Sequence, residues 1–202
     1  AQNHNFGQPV PIEDCERIFD IATSITRLPC VCRSAARGVN EGVCLAITVR
    51  PIDDVLAEAF AGWDGPGPFE MEHLTKGEAV QLLRECETKG LMHSVWTFIT
   101  PFIGAICNCS VESGCMAMHL AMERDIKVMW KGEGLIAIDP ERCTGCGNCA
   151  QVCPFGALER IKGSRPIAYD EARCYGCGVC RTACNRAAMT LVSRTRIAAQ
   201  SQ

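Results

Sequence analysis

At 202 residues, with 48% hydrophobic content, the chain holds enough apolar material for one large or two small domains. Its formal charge of −3 comes without a long basic run, which argues against a nucleic-acid partner. The longest apolar stretch, Thr97–Cys107, is broken by Pro101 and Gly104 and is too short for a bilayer, so no membrane span is expected.

Residues 11–27 are predicted as a helix, with Ile12, Cys15, Phe19 and Ala22 on one face and Pro29 ending it. Cys30 and Cys32 follow in Leu-Pro-Cys-Val-Cys-Arg, read as a loop whose alternate side chains aim the same way if extended. A second helix is expected over 51–61, beginning at Pro51, and then a Gly/Pro loop over 62–68. Thr75 and Glu78 form a capping-box pattern that opens a helix over 76–89, with Ala79, Leu82, Leu83 and Cys86 inward and Gly90 as its stop. Cys107 and Cys109, in Ile-Cys-Asn-Cys, repeat the earlier Cys-x-Cys arrangement, and a last helix is expected from Cys115 to about Asp125. Residues 1–132 thus read as a mostly helical, cysteine-rich domain, and a change in character near residue 132 marks the boundary with a second unit over 133–202.

The cysteines of this first unit divide in two. Cys15 and Cys86 sit on apolar helix faces, where a free thiol behaves as a small hydrophobe. Cys30, Cys32, Cys44, Cys107, Cys109 and Cys115 offer six soft thiolates, two more than a cubane needs, and suit an iron–sulfur cluster or zinc. The bland alternative is a set of buried or redox-paired thiols. His93 is read first as a core or surface histidine and second as a metal ligand. Trp63, Trp96 and Trp130 are read as packing residues, and Arg33 as solvated or as a counter-charge beside Cys32.

The densest signal lies further on. Cys143, Cys146, Cys149 and Cys153, with Pro154 after them, recur as Cys174, Cys177, Cys180 and Cys184. The offset of 31 residues also maps Ile136 on Ile167, Asp139 on Asp170, Arg142 on Arg173 and Ala157 on Ala188, as expected of a duplicated unit. Disulfide scaffolds do not repeat such a run, and zinc sites use two pairs at a longer gap. The spacing is the bacterial ferredoxin pattern, in which three thiolates of one run and the fourth of the other hold each [4Fe–4S] cube. On that rule Cys143, Cys146, Cys149 and Cys184 bind one cluster, and Cys174, Cys177, Cys180 and Cys153 the other.

Residues 135–192 therefore resemble the two-cluster bacterial-type 4Fe–4S ferredoxins. The resemblance implies a pseudo-twofold α+β domain with two short antiparallel strand pairs. Asn185 departs from the family's proline after the fourth cysteine. Leu28-Pro-Cys-Val-Cys-Arg33, Cys44-Leu45, Lys89-Gly-Leu-Met-His93 and Ile106-Cys-Asn-Cys109 ahead of this module resemble a group of anaerobe proteins described only as of 4Fe–4S ferredoxin type. That group is denser in cysteine where Ser110, Val111, Glu112 and Ser113 stand here.

Two cubes with four thiolates each would move the formal charge from −3 to roughly −7, and a third to roughly −9. The expected function is electron transfer, as a subunit or partner of a larger redox enzyme in a reducing, anaerobic cytoplasm, held to a membrane only through a partner if at all. The alternatives are an enzyme with an open-site N-terminal cluster and a zinc or thiol redox sensor. Neither G-x-G-x-x-G after a strand nor a P-loop occurs, so no nucleotide cofactor is expected in this chain.

Overall fold

The structure, a computed structural model, describes residues 7–50, 71–99, 102–124 and 126–195. The fold is mixed α/β. The first half runs β1 (Gly7–Val10), α1 (Ile12–Ile21), β2 (Ser24–Leu28), α2 (Val31–Arg37), β3 (Cys44–Thr48), β4 (Glu72–Leu74), α3 (Lys76–Thr88), β5 (Met92–Ile99), β6 (Phe102–Cys109) and α4 (Met116–Glu123). The second runs β7 (Gly134–Ile138), α5 (Asn148–Gln151), β8 (Leu158–Glu159), β9 (Ala168–Tyr169), α6 (Val179–Thr182) and β10 (Met189–Ser193).

The six strands of the first half form one antiparallel sheet in the order β1-β5-β6-β3-β2-β4. This amends the expectation of a mostly helical N-terminal domain, because the helices lie against a sheet that organises them. Strand alternation sorts the sheet's two faces. Leu45 and Ile106, paired in register, are fully buried and share a core with Phe19 of α1 and Ala79 and Leu83 of α3. Their neighbours Cys44 and Cys107, also paired in register, point to the other face.

The predicted helix over 11–27 stops at Ile21, because Ser24-Ile25-Thr26 is rich in β-branched residues and pairs with both β3 and β4. The predicted capping box is present: Glu78 N–H donates to Thr75 Oγ1 at 3.3 Å, and Thr75 N–H donates to Glu78 Oε2 at 2.8 Å. It opens α3 at the expected residue, and α4 likewise starts after Cys115. The predicted helix at 51–61 and loop at 62–68 lie outside the described residues.

In the second half β7 pairs with β10 and β8 with β9, each antiparallel. The two halves share an apolar cluster in which Met92, Cys109, Cys115 and Met118 pack with Phe155, Cys177 and Val179. Phe155 also stacks on Tyr175 at a centroid distance of 4.2 Å. Polar ties edge this seam. Gly132 N–H donates to Tyr175 O at 2.9 Å, and a Cβ at Gly132 would stand 2.4 Å from Pro9 O. Arg181 grips both carboxylate oxygens of Glu13 at 2.7 and 2.9 Å. Among the described residues, no helix is long and apolar enough to cross a membrane.

The Arg181 hydrogen bond holds the Glu13 carboxyl below its usual range, against a smaller upward pull from burial. A lowered folded-state pKa adds stability above the unfolded value, which is lost only as pH falls through the lowered one. Glu13→Gln should therefore cost under about 1 kcal/mol after solvent screening. The gap in thermal midpoint between wild type and variant, measured anaerobically, should stay constant from pH 8 to 6.

Candidate metal centres

The eight cysteines of the paired runs gather around two separate cavities. One is lined by Cys143, Cys146, Cys149 and Cys184. The other is lined by Cys153, Cys174, Cys177 and Cys180. Each wall thus combines three cysteines of one run with the fourth of the other. The apolar lining repeats too, with Ile167 and Met189 at the first and their counterparts 31 residues earlier, Ile136 and Leu158, at the second, while Arg186 also lines the first and Tyr169 and Tyr175 the second.

The local backbone repeats with the sequence. Asp139 Oδ1 accepts from Glu141 N and Arg142 N, and Asp170 Oδ1 accepts from Ala172 N and Arg173 N. Asp139 N donates to Ala188 O and Asp170 N to Ala157 O, each at 2.8 Å, so the two loops hold one another. Ala157 N donates to Cys153 Sγ and Ala188 N to Cys184 Sγ, both at 3.3 Å. Such N–H···S bonds favour the thiolate and influence the potential of a bound cluster. Asn185 leaves this turn unchanged: Ala187 N donates to Cys184 O at 2.9 Å, as Gly156 N does to Cys153 O at 3.2 Å. Gly145 and Gly176 both adopt positive φ, and a Cβ there would meet Ser164 O at 2.6 Å and Gly134 O at 2.4 Å, which restricts both positions to glycine.

The surroundings break the repeat. Cys146 is exposed, whereas its counterpart Cys177 is buried in the seam between the halves. Burial pushes the Cys177 thiol up to about 12, while a hydrogen bond from the Asn148 backbone lowers that of Cys146.

The six N-terminal cysteines also come together. Cys30 is the residue before α2 and Cys32 lies in its first turn, so the expected extended loop is a helix start. Cys107 and Cys109 share a face of β6, with Cys44 in register beside Cys107, and Cys115 is the residue before α4. The thiols influence one another's ionisation in neighbouring pairs, Cys30 with Cys32 and Cys44, Cys44 with Cys107, Cys107 with Cys109, Cys109 with Cys115, and Cys115 with Cys32, a succession that closes a ring. Within this set the neighbours Cys115 and Cys30 lower the Cys32 thiol and Cys107 and Cys30 lower that of Cys44, while Cys30, Cys107, Cys109 and Cys115 are raised. Among the described residues no three His, Cys, Asp or Glu side chains surround one metal-ion position. That holds for the paired runs too, whose thiols are arrayed about cavities.

A buried polar network backs the ring, and sequence reasoning missed it. Asn108, between Cys107 and Cys109, points to the opposite side of β6, where its Oδ1 meets His93 Nδ1 at 2.6 Å and its Nδ2 donates to Val43 O at 2.7 Å. Glu87 Oε1 stands 3.7 Å from His93 Nε2. Arg33, only 4% exposed, donates to Asn108 O at 3.0 Å and pairs with Glu41. Its Nε has no hydrogen-bond acceptor among the described residues. The signal for Asn108 was the alternation of Ile-Cys-Asn-Cys itself, which sends every second side chain to the other face. Cys15 and Cys86 are buried core thiols, as read.

The comparisons point to iron–sulfur binding in the second half of the chain. Residues 136–159 match the 4Fe–4S binding domain family. The chain is 53% identical over 55 residues, 27% of its length, to indolepyruvate oxidoreductase subunit IorA of Pyrococcus horikoshii, and covers 7% of that protein. It is 39% identical over 66 residues, 31% of its length, to a tetrathionate reductase subunit of Archaeoglobus fulgidus, and covers 30% of it. A stretch of 25 residues, 12% of the chain and 4% of the relative, is 64% identical to IorA of Thermococcus kodakarensis. The chain therefore spans less than a third of either of the first two relatives.

Desolvation pushes the Cys86 thiol up to about 11 and raises that of Cys15 further. Both should be neutral at pH 8 and shielded from reagent. Anaerobic alkylation of the native protein at pH 8, read by mass spectrometry, should leave both unmodified, and unfolding should expose both.

Proposed function

We propose that this chain relays electrons through two [4Fe–4S] clusters within its C-terminal unit, as a subunit or dedicated partner of a larger oxidoreductase. Residues 1–132 and 133–202 are read as two units, the second pseudo-twofold and ferredoxin-like. Cys143, Cys146, Cys149 and Cys184 hold one cluster, and Cys174, Cys177, Cys180 and Cys153 the other. The observation that carries this reading is the crossing of the fourth cysteine, since each cavity takes its last thiol from the opposite run. Bound cubanes supply reversible one-electron chemistry. The chain's own residues supply four thiols per site, N–H donors to Cys153 and Cys184, and apolar walls that limit water.

The six-thiol ring is read as the ligand set of a third iron–sulfur cluster. Its fit rests on the donors being soft and contiguous, and on the cationic Arg33 buried beside them with an unpaired Nε. Cys109 and Cys115 join the ring to the seam that contains Cys177, which supports a relay order from Cys146 at the surface, through the buried cavity, to the ring. Zinc is the second reading, favoured by the succession of neighbouring thiols around the ring. His93 is engaged by Asn108 on one side and stands near Glu87 on the other, which favours a relay over an open-site enzyme with a histidine ligand.

The redox partner is proposed from the relatives' names, both being oxidoreductase or reductase subunits. A reducing cytoplasm suits sixteen cysteines that are all free.

Iron, acid-labile sulfide and zinc counted on anaerobically purified protein test the cofactors. About twelve iron without zinc is expected, and about eight iron with zinc would reject the third cluster. Cys184→Ser should alter one cubane EPR signal and leave the other; two unaltered signals would reject the crossed ligand set. The double variant Cys30→Ser/Cys32→Ser should remove only the third signal.

A further inference from the structure

The cavity holding Cys146 opens to solvent, and the side chains around that opening are mostly of one charge. Arg160 lays its stem over Gly147, 2.7 Å from where a Cβ would stand, and Arg165 lies over Gly145 at 3.6 Å. Arg186 lines the cavity with Cys146 and Cys184, and shares a cleft with Arg142. All four arginines are exposed, and none is in an ion pair among the described residues. With exposed Lys162 they make five cations against the neighbouring carboxylates Asp139, Glu141 and Glu159, on a chain of formal charge −3.

The repeat supplies an internal control. At the 31-residue offset Arg186 corresponds to Phe155 and Arg160 to Leu191, whereas Arg142 and Arg165 correspond to Arg173 and Arg196. Phe155 lines the inner cavity and is buried in the seam against the N-terminal half. The duplicated loops need no arginine at the Arg186 and Arg160 positions to fold. At the first of these pairs an apolar side chain, Phe155, stands where the module meets the rest of its own chain, and Arg186 where it meets solvent.

We propose that this arginine rim is the docking surface for a small electron-carrier protein with an acidic face around its own cofactor. The inference rests on the reading that Cys143, Cys146, Cys149 and Cys184 hold a cluster, since docking at Cys146 brings a carrier to the exposed end of that site. A local positive patch on an acidic chain steers an acidic partner to one face and repels it from the others. The exposed guanidinium groups fit carboxylates without desolvating a buried charge.

The test uses the holoprotein and an acidic flavodoxin, kept oxidised so that binding is read without electron transfer. Association should be fast at low ionic strength and weaken steeply between about 0.01 and 0.3 M salt. R160E/R186E should slow association on the order of tenfold or more at low salt and flatten the salt dependence. R160K/R186K should stay within about twofold of wild type. R142E/R165E, neither of which lines the cavity that Arg186 lines, should act in the same direction as R160E/R186E. Wild-type binding that is absent or indifferent to salt, or charge-reversal variants that bind like wild type, would overturn the docking surface. Loss of the outer cubane's EPR signal in both charge-reversal variants would assign the arginines to the scaffold and also overturn it. Charge-sensitive binding by wild-type protein whose iron content and EPR show no cubanes would instead leave the surface standing and reject the relay.

Discussion

The packing of Met118, Cys109 and Cys115 against Phe155, Cys177 and Val179 decides how the two halves use one another. The polar ties at its edge are each worth about 1 kcal/mol or less, because they are exposed or exchange with water. A fully buried Met, Phe or Val side chain contributes roughly 1.5–3 kcal/mol. Several such side chains outweigh the rim, so the apolar contact fixes the interface while Arg181–Glu13 and Gly132–Tyr175 fix its register. Because Cys177 sits inside this contact, its site is screened from water on the side facing the N-terminal thiols.

The same contact explains why a duplicated sequence yields two unlike sites. Both copies keep the Asp caps, the N–H···S bonds and the positive-φ glycines, which are local and cost nothing to repeat. What differs is what covers them. One copy is roofed by the other half of the chain, so Cys177 lies in apolar surroundings, and the other leaves Cys146 in solvent. Burial and hydrogen bonding are the levers that set cluster potentials, so clusters bound at two sites with these surroundings would differ in potential. Under the proposed relay such a difference would give electron flow a direction, and packing would supply it without any change in the ligands.

Much of the second half was legible in sequence because its structure is dictated by neighbours in the chain. The spacing of Cys143, Cys146 and Cys149, the intervening glycines and the 31-residue offset all act within a few residues or within one repeat. Thr75 and Glu78 were readable for the same reason. The first half hid its sheet. Ser24–Leu28 continued an apolar helical period, and only pairing with β3 and β4, far off in sequence, makes it a strand. Six thiols could be nominated as a group, but not their order around a ring, which depends on β3 lying beside β6 and on α2 and α4 starting at Cys30 and Cys115. Arg33 was read as solvated or as a counter-charge, and its burial follows from that same tertiary closure.

Arg33 is the most demanding residue in the fold. A guanidinium stays charged when buried, so its desolvation must be met by partners. Glu41 meets part of it and Asn108 O another, and Nε is left over among the described residues. Its charge adds to the larger influence of Cys107 and Cys30 in lowering the Cys44 thiol. A thiolate at Cys44 would therefore complement the buried cation, and Asn108 ties Arg33 to His93 and Glu87 behind the sheet. The cost of burying Arg33 is thus a reason, independent of cysteine spacing, to look for negative charge at the N-terminal thiols.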